Sequence, residues 1–335
     1  MKNALPLVLV ASAFAWMTAC GDAAPAGTSS GEPGGDGGVD DSGDREASSG
    51  DASADGQTDP PPLQCPTFSA PTAVTTTAAG LVEASGLIAS SKNAGILWSH
   101  NDSGDSARIF ALNKNGTLKA IIPITGATAV DWEDIAWGTG PGGEAAIFIG
   151  DIGDNAEARG SITVHRVIEP DLSGAAPASL PATPIELVYG DGKGHNAEAL
   201  MIDPRDGAIV IVTKVWSGNS EVYRAAPPFA AAGTKNTLNR EGGLVVGKTP
   251  VGSPLVTAAD ISRAGDIIFL RTYTHALAWP RGPAQTIAAA LAAPPCVLPV
   301  ATEIQGEAIA FMPDGSGFFT VSEGNSPPLS FAAKK

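Results

Sequence analysis

Carboxylates recur in this chain inside stretches that otherwise read as buried strand. Residues 128–137, Thr-Ala-Val-Asp-Trp-Glu-Asp-Ile-Ala-Trp, set Asp131, Glu133 and Asp134 around Trp132. A carboxylate taken out of water is costly unless it is paired, hydrogen-bonded or metal-bound. The motif returns four more times, around Glu83, Glu198, Asp260 and Glu307, so that successive acids lie 50, 65, 62 and 47 residues apart. Like carboxylates gathered within several ångströms repel, and must be protonated, paired or neutralised by a cation.

Further polar residues follow an apolar run in each unit: Asp102 and Asp105, then Asp151, Asp154 and Asn155, then Lys214, Arg271 and Glu323. With the five motif acids these form the candidate ligand-binding set, in which Lys214, Arg271 and Arg108 are possible counter-charges. Asp and Asn oxygens on glycine-assisted turns suit a hard cation such as calcium, although no loop has EF-hand spacing. The candidate metal ligands are Glu133, Asp151, Glu198 and Glu307. A metal-assisted hydrolase would need a general base, for which His100 and His275 are candidates; a glycosidase would use two of the ring acids, Glu133 among them. The structural alternative is that each acid accepts backbone N–H groups of a neighbouring sheet.

The elements that must position these groups are strands. After each motif come a turn and an apolar run such as residues 146–149, 209–212 or 267–270, then a third strand, and in four units a fourth. Asn115-Gly116, Asp206-Gly207 and Asp314-Gly315 mark turns between them. Four short strands at a period of roughly 40 to 60 residues read as blades of an all-β propeller. Five blades are expected, with six as the alternative. The fifth unit stops after three strands, so residues 66–77 are expected to supply its outer strand and cover the open edge. In a propeller the first strand of each blade lines a central channel, which places Glu83, Glu133, Glu198, Asp260 and Glu307 around one mouth. Trp98, Trp132 and Trp216 read as core or rim packing. The G-x-G-x-x-G match at residues 138–143 is followed by a strand, so it implies no dinucleotide site.

Outside residues 65–335 the composition changes. Lys2 and the apolar residues 7–16 form a signal peptide ending at residue 19, too short to span a bilayer comfortably. Met17-Thr18-Ala19-Cys20 resembles a bacterial lipobox, which implies lipidation at Cys20. Between Cys20 and residue 64 the chain is Gly, Ser, Asp, Ala and Pro, with ten acids against the single base Arg45. Such a stretch buries too little surface to offset its ordering entropy and reads as a disordered tether. The chain carries a net charge of −15 and has no basic patch, which argues against nucleic acid. Cys65 and Cys296, the other two cysteines, suggest one disulfide in an exported protein.

Taken together, the motifs Ser-Gly-Leu at 85–87, His-Asn-Asp-Ser-Gly-Asp at 100–105, Asp-Trp-Glu-Asp-Ile-Ala at 131–136 and Gly-Asp-Ile-Gly-Asp-Asn at 150–155 resemble a group of exported bacterial β-propeller lipoproteins without an established activity. The chain is more weakly similar to esterase-like, phytase-like and calcium-dependent lactonase propellers, which place Glu, Asn and Asp around a central metal. The lipobox resemblance implies a protein held at the cell envelope by its lipid, and the ring of acids leads to the expectation of a monomer that binds calcium or a small ligand at the channel mouth. Hydrolysis at that mouth and a protein-binding scaffold are the alternative functions.

Overall fold

A computed structural model describes residues 63–246, 252–303 and 305–335; the expected signal peptide, Cys20 and the acidic tether lie outside the described residues. Strand β1 (Thr72–Thr75) comes first, followed by antiparallel meanders. The first meander is β2 (Ala84–Ala89), β3 (Ile96–Asn101), β4 (Arg108–Asn113) and β5 (Leu118–Thr125). The second is β6 (Trp132–Thr139), β7 (Ala145–Asp151), β8 (Ile162–Ile168) and β9 (Leu180–Tyr189). The third runs β10 (Ala197–Ile202), β11 (Ile209–Thr213), β12 (Asn219–Ala225) and β13 (Asn236–Val245).

The fourth contains β14 (Val256–Ile261), β15 (Ile267–Thr272) and β16 (Ala276–Pro280), then helix α1 (Ile287–Leu291) and β17 (Cys296–Leu298). The fifth holds β18 (Gly306–Phe311), β19 (Gly317–Ser322) and β20 (Pro328–Ala333), with β1 as its fourth strand. Thr72 pairs with Phe331 and Thr75 with Pro328, so the N-terminal segment takes the outer-edge place that the sequence leaves open. The protein is thus all-β among the described residues, apart from α1, which the strand pattern does not foretell. Thr286 caps that helix by accepting the Ala289 N–H, and the helix buries Ile287 and Leu291.

Burial explains why these segments are strands. The first strand of each sheet except β6 is buried along its whole length, as the continuous apolar runs require. Outer strands such as β5 alternate, with Ile122 and Ile124 inward and Ile121 and Pro123 outward. Strands β9 and β13 begin earlier than their apolar runs at 185–189 and 244–247. Both strands also pair laterally, in parallel: Ile124 of β5 with Leu180 of β9, and Leu187 of β9 with Asn236 of β13. The early residues, Pro181-Ala182-Thr183-Pro184 and Asn236-Thr237-Leu238-Asn239, carry no apolar run, which is why the sequence pattern underestimates both strands.

Five clusters of buried side chains hold the sheets together. Trp98 and Ile135 belong to the cluster between the first and second sheets, and Phe148 and Ile211 to that between the second and third. Val212 and Leu270 join the third to the fourth, and Phe269 and Phe318 the fourth to the fifth. The last cluster, with Leu87, Phe110, Ala308 and Phe319, is shared by the fifth sheet and the first. The first strands follow the same succession: β2 touches β6, β6 touches β10, β10 touches β14, β14 touches β18, and β18 touches β2.

Cys65 and Cys296 are joined in a disulfide, with Cα atoms 5.6 Å apart. Cys296 begins β17, an outer strand as expected. Cys65 is not on a strand; it lies in an irregular segment three residues before Phe68, which bridges to Lys334.

Candidate functional site

The register shifts at the same place in all five sheets. Between the first and second strands one residue is left without a partner: Ser85, Glu133, Glu198, Thr257 and Glu307. A bulge re-aims its side chain out of the ladder, and here three of the five bulged residues are glutamates that line one cavity. The two hydroxyls tie neighbouring sheets together. Ser85 Oγ donates to the Glu133 carbonyl at 2.5 Å, and Thr257 Oγ1 to the Gly306 carbonyl at 2.9 Å.

The cavity has a volume of about 200 Å³. Glu133, Glu198 and Glu307 form its floor with Ser85, and the loops after the second strands supply Asp102, Asn155, Lys214, Tyr273 and Glu323 to its walls. Gln305, just before β18, completes the lining. Lys214 Nζ donates to Glu198 Oε1 and, at 2.7 Å, to the Tyr273 hydroxyl. On the other side Asp102, Asp131 and Glu133 each present a carboxylate oxygen, and these lie within 4.8 Å of one another. Gly153 makes that convergence possible, because a Cβ there would collide with Oδ2 of Asp131 and Oε1 of Glu133. Glu133 is only 3 % exposed, and among the described residues no side chain or backbone N–H donates to its carboxylate.

One lysine does not balance this many acids, and burial makes the imbalance costly. Burial pushes Glu307 up to about 9, helped by repulsion from Glu198 and Glu323. Burial also raises Glu198, which Lys214 pulls back to about 7. Glu133 is held well above the usual carboxylate range by burial and by Glu198, Asp102 and Asp131. Asp102, Asp131 and Glu323 are raised as well, burial again being the first cause. Burial alone would lower Lys214, but the Glu198 carboxylate outweighs it and holds the ammonium above its ordinary range. Burial and mutual repulsion therefore favour the protonated over the charged form of these acids.

Several expected site residues lie elsewhere. Glu83 is exposed and does not line the cavity; in the bulge register it is equivalent to Asp131, not Glu133. Asp260 stands three residues after its bulge, level with Ala136, and is buried between sheets, accepting the N–H groups of Ile261 at 2.7 Å and Phe311 at 2.6 Å. Asp105 pairs with Arg108 at 2.8 Å. Asp151 pairs with Arg159 at 2.9 Å and accepts the N–H groups of Val130 and Asp131, so it clamps the loop and does not face the other candidate metal ligands. Asp154 caps its own loop through the Ala158 and Arg159 N–H groups. Arg271 is fully buried against Glu303 at 2.6 Å, outside the cavity lining.

The candidate bases are not in the cavity either. His100 is fully buried, its Nδ1 2.8 Å from the Asn101 carbonyl, and burial lowers it to about 4. His275 bonds Thr274 Oγ1 and lies outside the lining. Trp98 and Trp132 are core residues as expected, but Trp216 is 81 % exposed and packs into nothing. Ser85, Tyr273, Gln305 and Asp131 belong to the site although none was in the expected ligand-binding set. Asp131 lies two residues before Glu133, and Tyr273 follows the strand that ends at Thr272, where polar residues were expected to surround the mouth.

At the far ends of the first strands, Arg263 stacks over the Trp137 ring at 3.5 Å and donates to the Ala89 carbonyl at 2.7 Å. The ends of β2, β6 and β14 opposite the bulges thus meet at a guanidinium. Among known proteins, the chain matches no family model and no curated sequence.

Proposed function

We propose that residues 65–335 form a five-bladed β-propeller, exported and held at the cell envelope by a lipid on Cys20, that binds a calcium-like divalent cation at its acidic cavity. The propeller reading rests on the cyclic succession of contacts among β2, β6, β10, β14 and β18 and on the hydrophobic cluster shared by the fifth and first sheets. One observation carries the binding reading. Glu133 is buried, no described residue donates to its carboxylate, and its oxygen converges with those of Asp102 and Asp131. Carboxylate oxygens alone suit a hard cation. The original metal set of Glu133, Asp151, Glu198 and Glu307 is accordingly replaced by Asp102, Asp131 and Glu133, with Glu198 and Glu307 behind them.

Thermal melts of the full chain with calcium chloride and with a chelator test this. A ligand that binds only the folded state adds about 2.7 kcal/mol at a hundredfold excess over its dissociation constant. Calcium should raise the melting temperature of the wild type, and Glu133→Gln and Gly153→Ala should abolish the rise. A wild type that melts identically in calcium and chelator would refute the cation reading.

A second reading, hydrolysis, draws on Glu307. A carboxyl that stays protonated at neutral pH is a competent general acid, and Glu307 faces the cavity. Turnover of a chromogenic ester, phosphate or glycoside panel, lost in Glu307→Gln, would establish it.

A further inference from the structure

We infer that a second cavity binds an aromatic monocarboxylate, with Arg166 pairing the carboxylate and Phe229 packing against the rings. The cavity lies between the second and third sheets, at the strand ends away from the bulges. It shares no lining residue with the acidic cavity, so the inference goes beyond the cation reading and does not rest on it.

This cavity has a volume of about 660 Å³, within the range of about 300–1,000 Å³ for sites that hold small organic molecules. Its walls come from the end of β6, the turn between β10 and β11, and the connection after β12. Strand β8 contributes Arg166. Ile162 and Val164 of that strand are buried in the cluster between the two sheets, and the next residue on the same face is Arg166. Its ladder partner Phe148 belongs to the same cluster. A cation thus stands where the face calls for an apolar side chain. Arg166 is half-buried, and among the described residues no oxygen accepts from its guanidinium. A charge drawn partly out of water without a partner is costly, and a carboxylate in the cavity would relieve that cost.

The other charges of the lining are already engaged. Asp206 pairs with Arg224 and accepts the Ala208 N–H at 3.0 Å. Arg205 donates to the carbonyls of Gly282 and Pro283, each at 2.9 Å. Arg166 is therefore the lining charge still open to a ligand, and one guanidinium suits a single negative charge. A planar carboxylate accepts two parallel N–H bonds from it. A polyanion would find no second free cation and would meet Asp206, whereas an amine would meet Arg166 and Arg205. Around these groups stand Pro141, Pro204, Pro227 and Pro228, with the rings of Phe148 and Phe229. Phe148 is buried, while Phe229 packs against the same cluster only partly buried and keeps ring surface for a ligand. Stiff, flat walls favour a flat aromatic body, whose rings pack on Phe229 without the ordering cost of a flexible chain. The volume has room for a fused pair of rings.

The test titrates the full chain by calorimetry with 2-naphthoate, its neutral analogue 2-naphthamide, the cation 2-naphthylmethylamine and the aliphatic acid octanoate. The naphthoate should bind about tenfold or more tightly than each of the others, as one charge-assisted pair implies. Arg166→Gln should bring naphthoate down to the affinity of the amide, and Arg166→Lys should recover part of the loss. Because the Arg166 guanidinium makes no hydrogen bond or ion pair among the described residues, Arg166→Gln should melt like the wild type without ligand. Only the rise in melting temperature that naphthoate produces should disappear. No binding at millimolar naphthoate, equal affinity for the amide, or full affinity in Arg166→Gln would overturn the inference. So would tighter binding of octanoate, which would make the body a chain, or of N-acetyl-Ala-Phe, which would make the occupant a peptide C-terminus. Calcium melts on the same samples stand apart: a wild type that ignores calcium but binds naphthoate through Arg166 sinks the cation reading alone.

Discussion

Oδ2 of Asp134 accepts the backbone N–H of Ala259 at 3.0 Å, across 125 residues of sequence, and that of Leu200 at 2.8 Å. Its Oδ1 accepts the Ile135 N–H at 2.8 Å, so one side chain on β6 ties together β6, β10 and β14. Asp134 is fully buried, and burial holds its carboxyl well above the usual range while the three N–H groups pull it back. Removing the carboxylate leaves three buried donors unsatisfied, each at a cost of about 1–3 kcal/mol. Asp134→Ala should therefore unfold the protein or lower its urea midpoint severely. Glu133→Gln, one residue away, should leave the apo fold intact. Equal effects of the two substitutions in denaturant titrations would erase the division between structural and site acids.

Acid titration offers a second prediction. Glu307, Glu198 and Asp260 have folded-state pKa values of about 9, about 7 and about 6, all raised above those of an exposed carboxylate, first by burial. A raised acid binds more protons in the folded state than in the unfolded one. Stability from these groups is then fully present below the unfolded pKa and declines as pH rises through the folded values. In chelator, the melting temperature should fall steadily from about pH 5 to about pH 9. Glu307→Gln should flatten the upper part of that slope. A melting temperature that climbs across the same interval would contradict the burial of these protons.

Much of this was legible in the chain, and the failures share one cause. Glu133, Glu198 and Glu307 could be found because an acid recurred before each apolar run. Matching acid to acid then misplaced Glu83 and Asp260. What repeats is the bulge position, and in two sheets it holds Ser85 and Thr257, hydroxyls that tie sheets together where glutamates enter the cavity. Glu83 stands two residues before its bulge and Asp260 three after, and no residue type announces where the bulge falls. Asp151 was misread for a different reason, since nothing in Gly-Asp-Ile-Gly-Asp-Asn shows that its carboxylate turns back onto Val130, Asp131 and Arg159.

The disulfide makes a third prediction. Cys65 and Cys296 are 231 residues apart, and their bond ties the segment before β1 to the outer strand of the fourth sheet. Closing so long a loop restricts the unfolded chain, with typical stabilisation of about 2–4 kcal/mol. Cys65→Ser with Cys296→Ser should lower the melting temperature by an amount that reduction of the wild type reproduces. The calcium response should survive, because the cavity is built from other elements. Two free thiols in the purified wild type, by mass mapping, would remove the basis for the comparison.

Lys214 connects stability to binding. Its ammonium joins Glu198 to Tyr273, and its side chain is 12 % exposed. Removing one partner of a buried ion pair strands the other charge, at about 3–5 kcal/mol if Glu198 stays ionised. Glu198 has another course open, because Lys214 is what pulls it back to about 7; without the lysine, burial raises it further and it takes up a proton at neutral pH. Lys214→Met should therefore cost less than that range at pH 6 and rise toward it only at about pH 9 or above. The same substitution removes the one cation among the side chains that line the cavity. Calcium should then bind Lys214→Met more tightly than wild type and raise its melting temperature by more. If the variant loses stability equally at both pH values and gains no calcium affinity, Lys214 is not the charge that balances this site.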